Sequence, residues 1–422
     1  MNASQTATPE CARPRAQQRG NYPAVSKKCR GPRTWHPCCA RGRAHSTAGN
    51  GRFTVRSKAA LHWALPLLLL ATHAVAGPLP PDPLPRTNLL VFHNARGQPA
   101  PVKTKSDWLK RRAEILRAMQ AIMGPLPGKQ KRCPLDVKIE TETDCGPYLR
   151  RLITYASEPG SRVPAYLLIP KAALASAKKW PGALALHPTD AEYGHRVVVE
   201  SLRSYYWVYA RDLVERGFVV LAPAYPLLAN YQPDLKALGY QSGTMKAIWD
   251  NMRGLDLLES LPFVQRGRFV AIGHSLGGHN SIYTAVFDPR IKVIVTSCGF
   301  DSYRDYMDGQ IKGWTSERYM PKLLEYQDRL GEIPFDFPEL LGALAPRAIF
   351  INAPLRDANF KSRSVDQVVQ AALPISQLYG VPGNLVVEHP DCEHDFPAPI
   401  REEGYRFVDQ HLNRATQMIS SP

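Results

Sequence analysis

A serine in a glycine-rich turn is the residue of this sequence with the clearest chemical potential. Residues 273–277 read GHSLG and match the pattern G-x-S-x-G, with Ser275 at the centre. The apolar run Phe269–Ile272 before it predicts a buried parallel strand, and Ser281–Phe287 after it predicts a helix. A serine on such a strand-to-helix turn projects its hydroxyl above the sheet, and the flanking glycines avoid collisions that a Cβ would cause. This context favours a nucleophile over a structural turn serine.

Two loops further along the chain carry an acid and a base that would activate this serine. Asp357 follows the predicted strand Ala348–Asn352, and His394 follows the predicted strand Asn384–Glu388. The order serine, acid, histidine is typical of hydrolases with this motif. An imidazole titrates near neutral pH and can take the serine proton, while a buried carboxylate holds the imidazole tautomer. The sequence therefore predicts a catalytic triad. His389 stays open as an alternative base.

The remaining parts of the predicted site are a second candidate acid and the donors that would stabilise an oxyanion. Asp301 follows the preceding strand and is the alternative acid. The backbone N–H of Leu276, directly after the nucleophile, is the expected first oxyanion donor. The second should come from the loop after the predicted strand Gly182–Leu186. Pro188 in that loop has no N–H, so Thr189 is the candidate.

Strands and helices alternate from residue 182 onward, which predicts a mostly parallel sheet covered by helices on both faces. The ligands of such sheets bind beyond the carboxyl ends of the strands, where the three triad residues lie. The predicted strands are Gly182–Leu186, Phe218–Leu221, Phe269–Ile272, Lys292–Thr296, Ala348–Asn352 and Asn384–Glu388, and the helices between them include Tyr205–Glu215, Thr244–Leu261, Val365–Tyr379 and Arg401–Asn413.

The region before residue 182 predicts antiparallel strands and one helix. Val137–Glu142, Tyr148–Tyr155 and Val163–Ile169 alternate between polar and apolar residues, as antiparallel strands do. A Pro-rich linker precedes a helix over Ser106–Met123, for which Ser106 is the candidate N-cap. We therefore expect a linker and helical region over residues 77–135 and an α/β catalytic domain over residues 136–415, with antiparallel strands at its N-terminal edge.

The first 76 residues differ in composition from the rest of the chain. The net charge is +16, but residues 1–58 hold twelve basic residues and one acidic residue, which leaves +5 for the other 364. A nucleic-acid partner is therefore not indicated. We interpret residues 1–54 as a disordered basic extension, translated from a start codon placed too early, rather than a basic arm or metal site. Residues 55–76 have the charges, apolar run and A-x-A end of a secretory signal peptide, which predicts export and no stable membrane anchor after cleavage near Ala76.

An insert of about fifty residues, near 300–340, lies between two predicted strands and is longer than one helix requires. It carries Tyr303, Tyr306, Trp314, Tyr319 and Tyr326 and begins at the catalytic edge. Flat aromatic rings beside polar groups can stack on a sugar, so we expect Trp314, Tyr303 and Tyr306 to contact a carbohydrate substrate. The alternative is that these aromatics pack the insert onto the sheet. The polar neighbours offered as hydroxyl ligands are Asp301, Arg304, Asp305, Lys312 and Arg318.

Four cysteines follow the predicted signal peptide: Cys133, Cys145, Cys298 and Cys392. An exported protein can form disulfides, and four cysteines allow three pairings, which the sequence leaves open. Cys392 lies close to the predicted histidine loop. It lacks the strand-to-helix turn that Ser275 has, so we do not expect it to be a nucleophile.

Several motifs together resemble the α/β-hydrolase superfamily: GHSLGGHN at residues 273–280, the His-Pro-Thr loop at 187–189, Arg356-Asp357, and EHDFP at 393–397. Within it the sequence looks most like bacterial exported esterases grouped near dienelactone hydrolases and acetyl xylan esterases. The resemblance implies an acyl-enzyme mechanism without metal or organic cofactor. We expect a serine esterase acting on acetyl or methyl esters of carbohydrate. A serine peptidase of the prolyl-oligopeptidase type and a non-catalytic binding protein are the alternatives. The oligomeric state stays open.

Overall fold

A nine-stranded sheet forms the centre of this protein. The computed structural model describes residues 84–202 and 207–420, with side chains described up to residue 412. The predicted basic extension and signal peptide lie outside these residues. The sheet order is β11-β10-β9-β8-β6-β7-β5-β4-β3. Its strands are β3 (Lys138–Asp144), β4 (Tyr148–Glu158), β5 (Ser161–Pro170), β6 (Trp180–Leu186), β7 (Val219–Pro223), β8 (Val264–His274), β9 (Ile291–Ser297), β10 (Ala348–Asn352) and β11 (Leu385–Glu388).

Six neighbouring strands of the sheet are parallel and carry the predicted site. The pairs of β7 with β6, β6 with β8, β8 with β9, β9 with β10 and β10 with β11 are all parallel. The strands β3, β4 and β5 are antiparallel to their neighbours, and β5 is also antiparallel to β7. The mostly parallel sheet with an antiparallel N-terminal edge, predicted from the sequence, is therefore confirmed.

Side chains alternate across the central strands and build one core on each face of the sheet. On β8, Phe269 and Ala271 belong to the larger core, whereas Val270 and Ile272 belong to the smaller one. Both faces are buried because helices cover both, which explains why these strands are apolar runs without polar alternation. The edge strand β3 is the opposite case, since all seven of its residues are exposed and several are charged. Charged side chains on an edge strand discourage pairing with another chain.

Eight α-helices surround the sheet. They are α1 (Lys105–Met123), α2 (Lys171–Leu174), α3 (Tyr209–Glu215), α4 (Gly243–Ser260), α5 (Leu276–Phe287), α6 (Phe337–Leu344), α7 (Ser362–Leu378) and α8 (Ala398–Ser420) among the described residues. Buried side chains of α1, α4, α5, α6 and α7 form the larger core, and those of α3 and α8 form the smaller one. None of the helices in the described part of the chain is long and apolar enough to span a membrane.

The N-terminal helix α1 starts one residue earlier than the sequence indicated, and its cap differs from our expectation. Thr104, not Ser106, is the N-cap: its side chain accepts from the Asp107 N–H, and the Asp107 carboxylate accepts from the Thr104 N–H. This reciprocal capping box satisfies two donors that a helix start leaves without partners. A two-stranded ribbon, β1 (Val91–His93) with β2 (Pro99–Pro101), precedes it and was not predicted.

The insert between β9 and β10 is a chain of short 3-10 turns followed by α6. Main-chain hydrogen bonds fasten it to the start of α4, from the Gly243 N–H to the Glu317 carbonyl (2.9 Å) and from the Thr244 N–H to the Tyr319 carbonyl (3.2 Å). A Cβ on Gly243 would lie 2.1 Å from the Arg318 carbonyl oxygen, so the close approach needs glycine. These contacts fix the insert beside the carboxyl ends of the parallel strands.

Candidate active site

Ser275 stands at the turn between β8 and α5, where the sequence predicted a nucleophile. Its backbone has φ 53° and ψ −121°, a conformation that non-glycine residues rarely adopt. Its N–H donates to the Ser297 carbonyl at 2.8 Å, which ties the turn to the end of β9. The surrounding structure thus holds a strained turn that presents the serine hydroxyl at the carboxyl edge of the sheet.

The glycines around Ser275 are required by close backbone contacts. A Cβ on Gly273 would lie 2.2 Å from the Gly277 carbonyl, and a Cβ on Gly277 would lie 1.8 Å from the Leu186 carbonyl oxygen. Real Cβ atoms do not approach other heavy atoms so closely, so both positions exclude any larger residue. Gly278 continues the pattern, since its Cβ would be 2.8 Å from Thr296 Oγ1. The motif therefore packs α5 tightly against β6 and β9.

Asp357 and His394 lie in loops at the same edge and form a hydrogen-bonded pair. His394 Nδ1 is 2.9 Å from each carboxylate oxygen of Asp357. The Asp357 side chain is 1% exposed and that of His394 is 24% exposed. The Asp357 Oδ1 atom also accepts from the N–H groups of Asn359 (2.8 Å) and Phe360 (3.2 Å), which fix the carboxylate. A carboxylate held this way orients a histidine so that its other nitrogen faces a nucleophile.

A buried asparagine, which the sequence analysis missed, positions the histidine loop. Asn352, at the end of β10, donates from Nδ2 to Ser297 Oγ (2.8 Å) and to the Asp395 carbonyl (2.9 Å). The Cys298 thiol also contacts the Asp395 carbonyl, at 3.4 Å. Because Asp395 follows His394 directly, these donors fix the backbone beside the proposed base. The sequence did contain a signal for this role, because Asn352 is a polar residue at the end of an otherwise apolar strand.

The alternative base and acid each have other partners. His389 Nε2 lies 2.9 Å from Asp366 Oδ1, and its Nδ1 lies 2.7 Å from the Ala353 carbonyl. Asp301 accepts from the Lys361 N–H at 3.1 Å, and burial raises its pKa to about 8. Neither side chain lines the cavity that contains Ser275 and His394. The geometry therefore favours His394 and Asp357.

The first N–H groups of α5 are available at the nucleophile. The main-chain hydrogen bonds of the helix begin at the His279 N–H, which donates to the Ser275 carbonyl at 3.0 Å. Leu276 is the first residue of α5, and the first N–H groups of a helix have no carbonyl partner within it. Leu276 also lines the catalytic cavity with Thr189. Both proposed oxyanion donors therefore belong to residues beside Ser275.

His187 orients the peptide group that carries the Thr189 N–H. The main-chain N–H of Tyr225 donates to His187 Nε2 at 2.9 Å, so Nδ1 carries the ring proton and donates to the Pro188 carbonyl at 2.7 Å. Burial lowers the pKa of His187 to about 4, which keeps the ring neutral. A trans peptide directs its N–H opposite to its C=O, so this bond turns the Thr189 N–H away from His187. We had assigned His187 no role from the sequence.

The catalytic cavity has a volume of about 320 Å³. It is small for a ligand site, since such sites span about 300–1,000 Å³. Its lining combines polar groups with aromatic rings from the insert and from the loops around Ser275: Pro188, Thr189, Trp207, His274, Ser275, Leu276, Tyr306, Gly313, Trp314, Tyr319, Asn359, Phe360 and His394. Thr189 Oγ1 lies 3.0 Å from the Tyr319 hydroxyl, which joins the oxyanion loop to the insert.

The aromatic residues of the insert divide between the cavity and the core. Trp314 and Tyr306 line the cavity as expected, and Trp314 stacks on His279 with ring centroids 4.2 Å apart. Tyr303 does not: it is 1% exposed, and its hydroxyl bonds that of Tyr283 inside the core. Our expectation that Tyr303 contacts substrate is therefore corrected. The Tyr303 ring instead packs the insert onto the sheet, which is the alternative given above.

The polar neighbours of these aromatics are also placed differently from our expectation. The candidate hydroxyl ligands do not line the cavity: Asp301, Arg304, Asp305, Lys312 and Arg318. Arg318, for example, donates to the Leu227 carbonyl at 3.0 Å. The polar residues that line the cavity beside the proposed triad are instead Thr189 and Asn359. Sequence proximity to an aromatic residue was a poor guide because the insert folds as successive tight turns.

The four cysteines in the described part of the chain are free thiols: Cys133, Cys145, Cys298 and Cys392. Cys298 lies near the triad, and its ligand atom is within 4.8 Å of those of Asp357 and His394, a set that could hold a metal ion. Burial raises the pKa of the Cys298 thiol well above its usual value. A metal ligand is a thiolate, so a protonated buried thiol is a poor ligand. The Asp357 carboxylate and the His394 imidazole are moreover already hydrogen-bonded to each other.

The fold is that of an α/β-hydrolase, and Ser275 and His394 line one cavity at the carboxyl edge of its sheet. The chain matches no family model. It is similar to "Putative hydrolase YtaP" of Bacillus subtilis (strain 168), with 26% identity over 166 residues, which are 39% of this chain and 53% of that protein. The chain thus matches about half the length of this curated relative.

Solved structures with the same fold include several carbohydrate esterases. A glucuronoyl esterase from Solibacter usitatus has a TM-score of 0.62 and 19% identity, covering 78% of this chain and 98% of its own. A promiscuous CE15 esterase from a marine bacterial metagenome has a TM-score of 0.62 and 16% identity, covering 80% and 99%. A "putative acetyl xylan esterase" from Bacteroides fragilis NCTC 9343 has a TM-score of 0.53 and 18% identity, covering 73% and 89%. Similarity at this level of identity establishes the shared fold.

Proposed function

We propose that this protein is a serine esterase that hydrolyses small esters, acetyl or methyl, carried on carbohydrate. The observation that carries the proposal is that Ser275, on its strained turn, shares one cavity with His394, whose ring is held by the buried Asp357. A serine, a neutral imidazole and a buried carboxylate in this order are the components of acyl transfer.

In the proposed reaction, His394 takes the hydroxyl proton of Ser275 while the serine oxygen attacks the ester carbonyl. The resulting oxyanion accepts hydrogen bonds from the N–H groups of Leu276 and Thr189. Protonated His394 then gives its proton to the leaving oxygen, which releases the alcohol and leaves an ester on Ser275. Water attacks this acyl-enzyme while His394 takes a proton from it. His394 then gives that proton to the departing serine oxygen, which releases the acid product and restores the Ser275 hydroxyl.

The size and lining of the cavity support a small ester. A volume of about 320 Å³ leaves little space beyond an acetyl or methyl ester and part of one sugar ring. Tyr306 offers an aromatic face for the sugar, the buried Trp314 adds only the part of its ring that lines the cavity, and Thr189 and Asn359 offer polar groups for the sugar hydroxyls. The glucuronoyl and acetyl xylan esterases that share the fold act, by their names, on esters of this kind.

A substrate panel tests the proposal. The specificity constant kcat/KM should be measured for p-nitrophenyl acetate, butyrate and octanoate, for acetylated xylan, for a methyl glucuronate ester and for a peptide. We expect the acetyl ester to exceed the octanoyl ester and at least one glycan ester to be cleaved. Rates that rise from acetyl to octanoyl without glycan ester cleavage would contradict the carbohydrate assignment. Peptide cleavage without ester preference would favour a peptidase.

A matched pair of variants tests the role of the aromatic wall. Tyr306 lines the cavity, whereas Tyr326 belongs to the same insert and does not. Tyr306→Ala should lower kcat/KM for a glycan ester by about tenfold, in the range of one lost aromatic contact. The value for p-nitrophenyl acetate should change much less, and Tyr326→Ala should change neither. Equal losses in both variants would mean that the insert acts only through stability.

A further inference from the structure

A second cavity lies at the opposite edge of the sheet from Ser275 and is larger than the catalytic one. Its volume is about 1010 Å³, and its wall includes Lys292 and Ala348, at the starts of β9 and β10. Ser275 lies beyond the other ends of these parallel strands. Seven residues of β9 span roughly 20 Å at the rise of a β-strand, so the two cavities are separate.

One side of this second cavity is apolar. Leu109 and Leu116 come from α1, Leu126 from the segment after it, and Val286 and Phe287 from the end of α5. Leu109 is 56% exposed at the rim. Large apolar side chains around an open concave surface of this size mark a binding site more often than a packing defect.

The other side of the cavity carries three cations: Arg112, Lys292 and Arg347. Arg112 donates from Nη2 to the Val286 carbonyl (2.7 Å) and from Nε to the Ala343 carbonyl (2.9 Å). Arg347 likewise donates to main-chain carbonyls at the ends of α5 and α6. Lys292 donates to a carbonyl at 2.7 Å. Within residues 84–202 and 207–412, none of the three forms an ion pair, and Arg112 Nη1 and Arg347 Nη2 have no hydrogen-bond partner.

Burial and a neighbouring guanidinium disfavour the charges of Arg347 and Lys292. Burial and the neighbouring Arg112 lower the pKa of Arg347 to about 9. Burial and the neighbouring Arg347 lower the pKa of Lys292. The Asp288 carboxylate is the anion closest in sequence to Lys292, but Arg290 binds it at 2.6 Å and 2.9 Å. The cavity therefore places cationic groups beside an apolar wall, where a bound carboxylate could accept hydrogen bonds from them.

We propose that this cavity binds a carboxylate that carries an apolar chain. The carboxylate would accept hydrogen bonds from the free guanidinium edges of Arg112 and Arg347, which match its geometry, with Lys292 nearby. The apolar chain would lie on the leucines of α1. Residues 1–58 do not match the charge of the site, since they hold twelve basic residues and one acidic residue.

Calorimetric titration of the purified protein with decanoate tests the proposal. Ser275 is first blocked with a fluorophosphonate, so that the catalytic cavity is filled. We expect decanoate to bind with a Kd of about 100 μM or tighter, and acetate and neutral 1-decanol to bind at least tenfold more weakly. Equal binding of decanoate and decanol, or binding of decanoate only when Ser275 is unblocked, would overturn the proposal.

Two charge variants and one control locate the binding site. Arg112→Gln and Lys292→Gln should each weaken decanoate binding by about tenfold, the range for one lost charged hydrogen bond. Arg363→Gln removes an exposed charge at the N-terminal end of α7, whereas the cavity lies at the C-terminal end of that helix, so the Kd should stay unchanged. Lys292 has a single main-chain bond, so its variant tests the site even where loss of Arg112 impairs folding. Unchanged binding in folded Lys292→Gln, or equal weakening in Arg363→Gln, would refute the site.

Discussion

Replacing Asp357 with asparagine should trap His394 in the wrong tautomer. The Asp357 Oδ1 atom accepts from two main-chain N–H groups, those of Asn359 and Phe360. The amide of Asp357→Asn must keep its oxygen at that position, which turns its NH₂ group toward His394 Nδ1. The NH₂ group can only donate, so it favours the tautomer in which Nδ1 accepts a hydrogen bond and the ring proton lies on Nε2, in competition with the tautomer in which Nδ1 donates to Oδ1, which is also 2.9 Å away. A protonated Nε2 cannot take the Ser275 proton.

The expected loss follows from that change. A triad with the wrong imidazole tautomer loses about 10⁴ in kcat, which corresponds to about 5.5 kcal/mol in the activation barrier. The variant changes no volume, so the unfolding temperature should stay within a few degrees of the parent value. Initial rates on p-nitrophenyl acetate at pH 7, with a thermal melt of the same sample, measure both quantities.

Asp301→Asn is the matched control. Burial raises the pKa of Asp301 to about 8, so this side chain is mostly a neutral acid at pH 7. An amide replaces a neutral acid with little electrostatic change, and Asp301 does not contact His394. We expect less than a tenfold change in kcat at pH 7. A loss below tenfold in Asp357→Asn, or a larger loss in Asp301→Asn, would refute the assignment of the acid.

Three further predictions concern packing, pH and export. Gly277→Ala places a Cβ 1.8 Å from the Leu186 carbonyl oxygen and should lower activity more than a hundredfold or prevent folding, whereas Gly383→Ala, with open space around it, should be neutral in activity and melting assays. Burial lowers the pKa of His195 to about 3, below the unfolded value near 6.5, so its contribution to stability is present above pH 6.5 and lost as pH falls. The free energy of unfolding in urea should therefore fall by about 1.5 kcal/mol less between pH 6.5 and pH 5 in His195→Gln than in the parent protein. An equal fall in both proteins would contradict this prediction. Mass spectrometry of the exported protein should find Gly77 at or near the N-terminus; an intact chain from residue 1 in the cytosol would contradict export.

The parallel sheet and the placement of the proposed triad could be predicted because their signals are local. Short apolar runs between helices define parallel strands, and chemistry-bearing residues just after such runs lie at one edge of the sheet. Ser275 follows β8 directly, and Asp357 and His394 lie in the loops after β10 and β11, so their placement at one edge of the sheet needed no knowledge of the packing. The glycines next to Ser275 belong to the same local pattern, and the distances to Leu186 show why.

The roles of individual side chains in the insert depend on contacts that are distant in sequence. Tyr303 and Tyr306 lie three positions apart in the same aromatic segment, yet Tyr303 is buried in the core and Tyr306 lines the cavity. No periodicity distinguishes them, because the segment is neither helix nor strand. The same holds for His187, whose Nε2 accepts from the Tyr225 N–H, and for Asn352, which donates to the Asp395 carbonyl, since both partners are distant in sequence. These positioning contacts arise only when the loops meet.

Some missed features did have a readable signal. The helix α6 begins with Asp336 as N-cap and Glu339 three residues later, a capping box with a proline in the first turn. That pattern predicts a helix start, but it lies inside the insert, which we interpreted only by its aromatics. The start of α1 has the same signature, with Thr104 and Asp107, and would have corrected the choice of Ser106.

Trapping of an acyl-enzyme on Ser275 tests the central claim most directly. The purified protein is mixed with p-nitrophenyl acetate, quenched in acid within milliseconds to seconds, digested and analysed by mass spectrometry. We predict one acetyl group on the peptide that contains Ser275, and a Ser275→Ala variant that neither acetylates nor hydrolyses the ester above about one part in a thousand of the parent rate. Acetylation at another residue, or a Ser275→Ala protein that retains ester hydrolysis, would contradict the account.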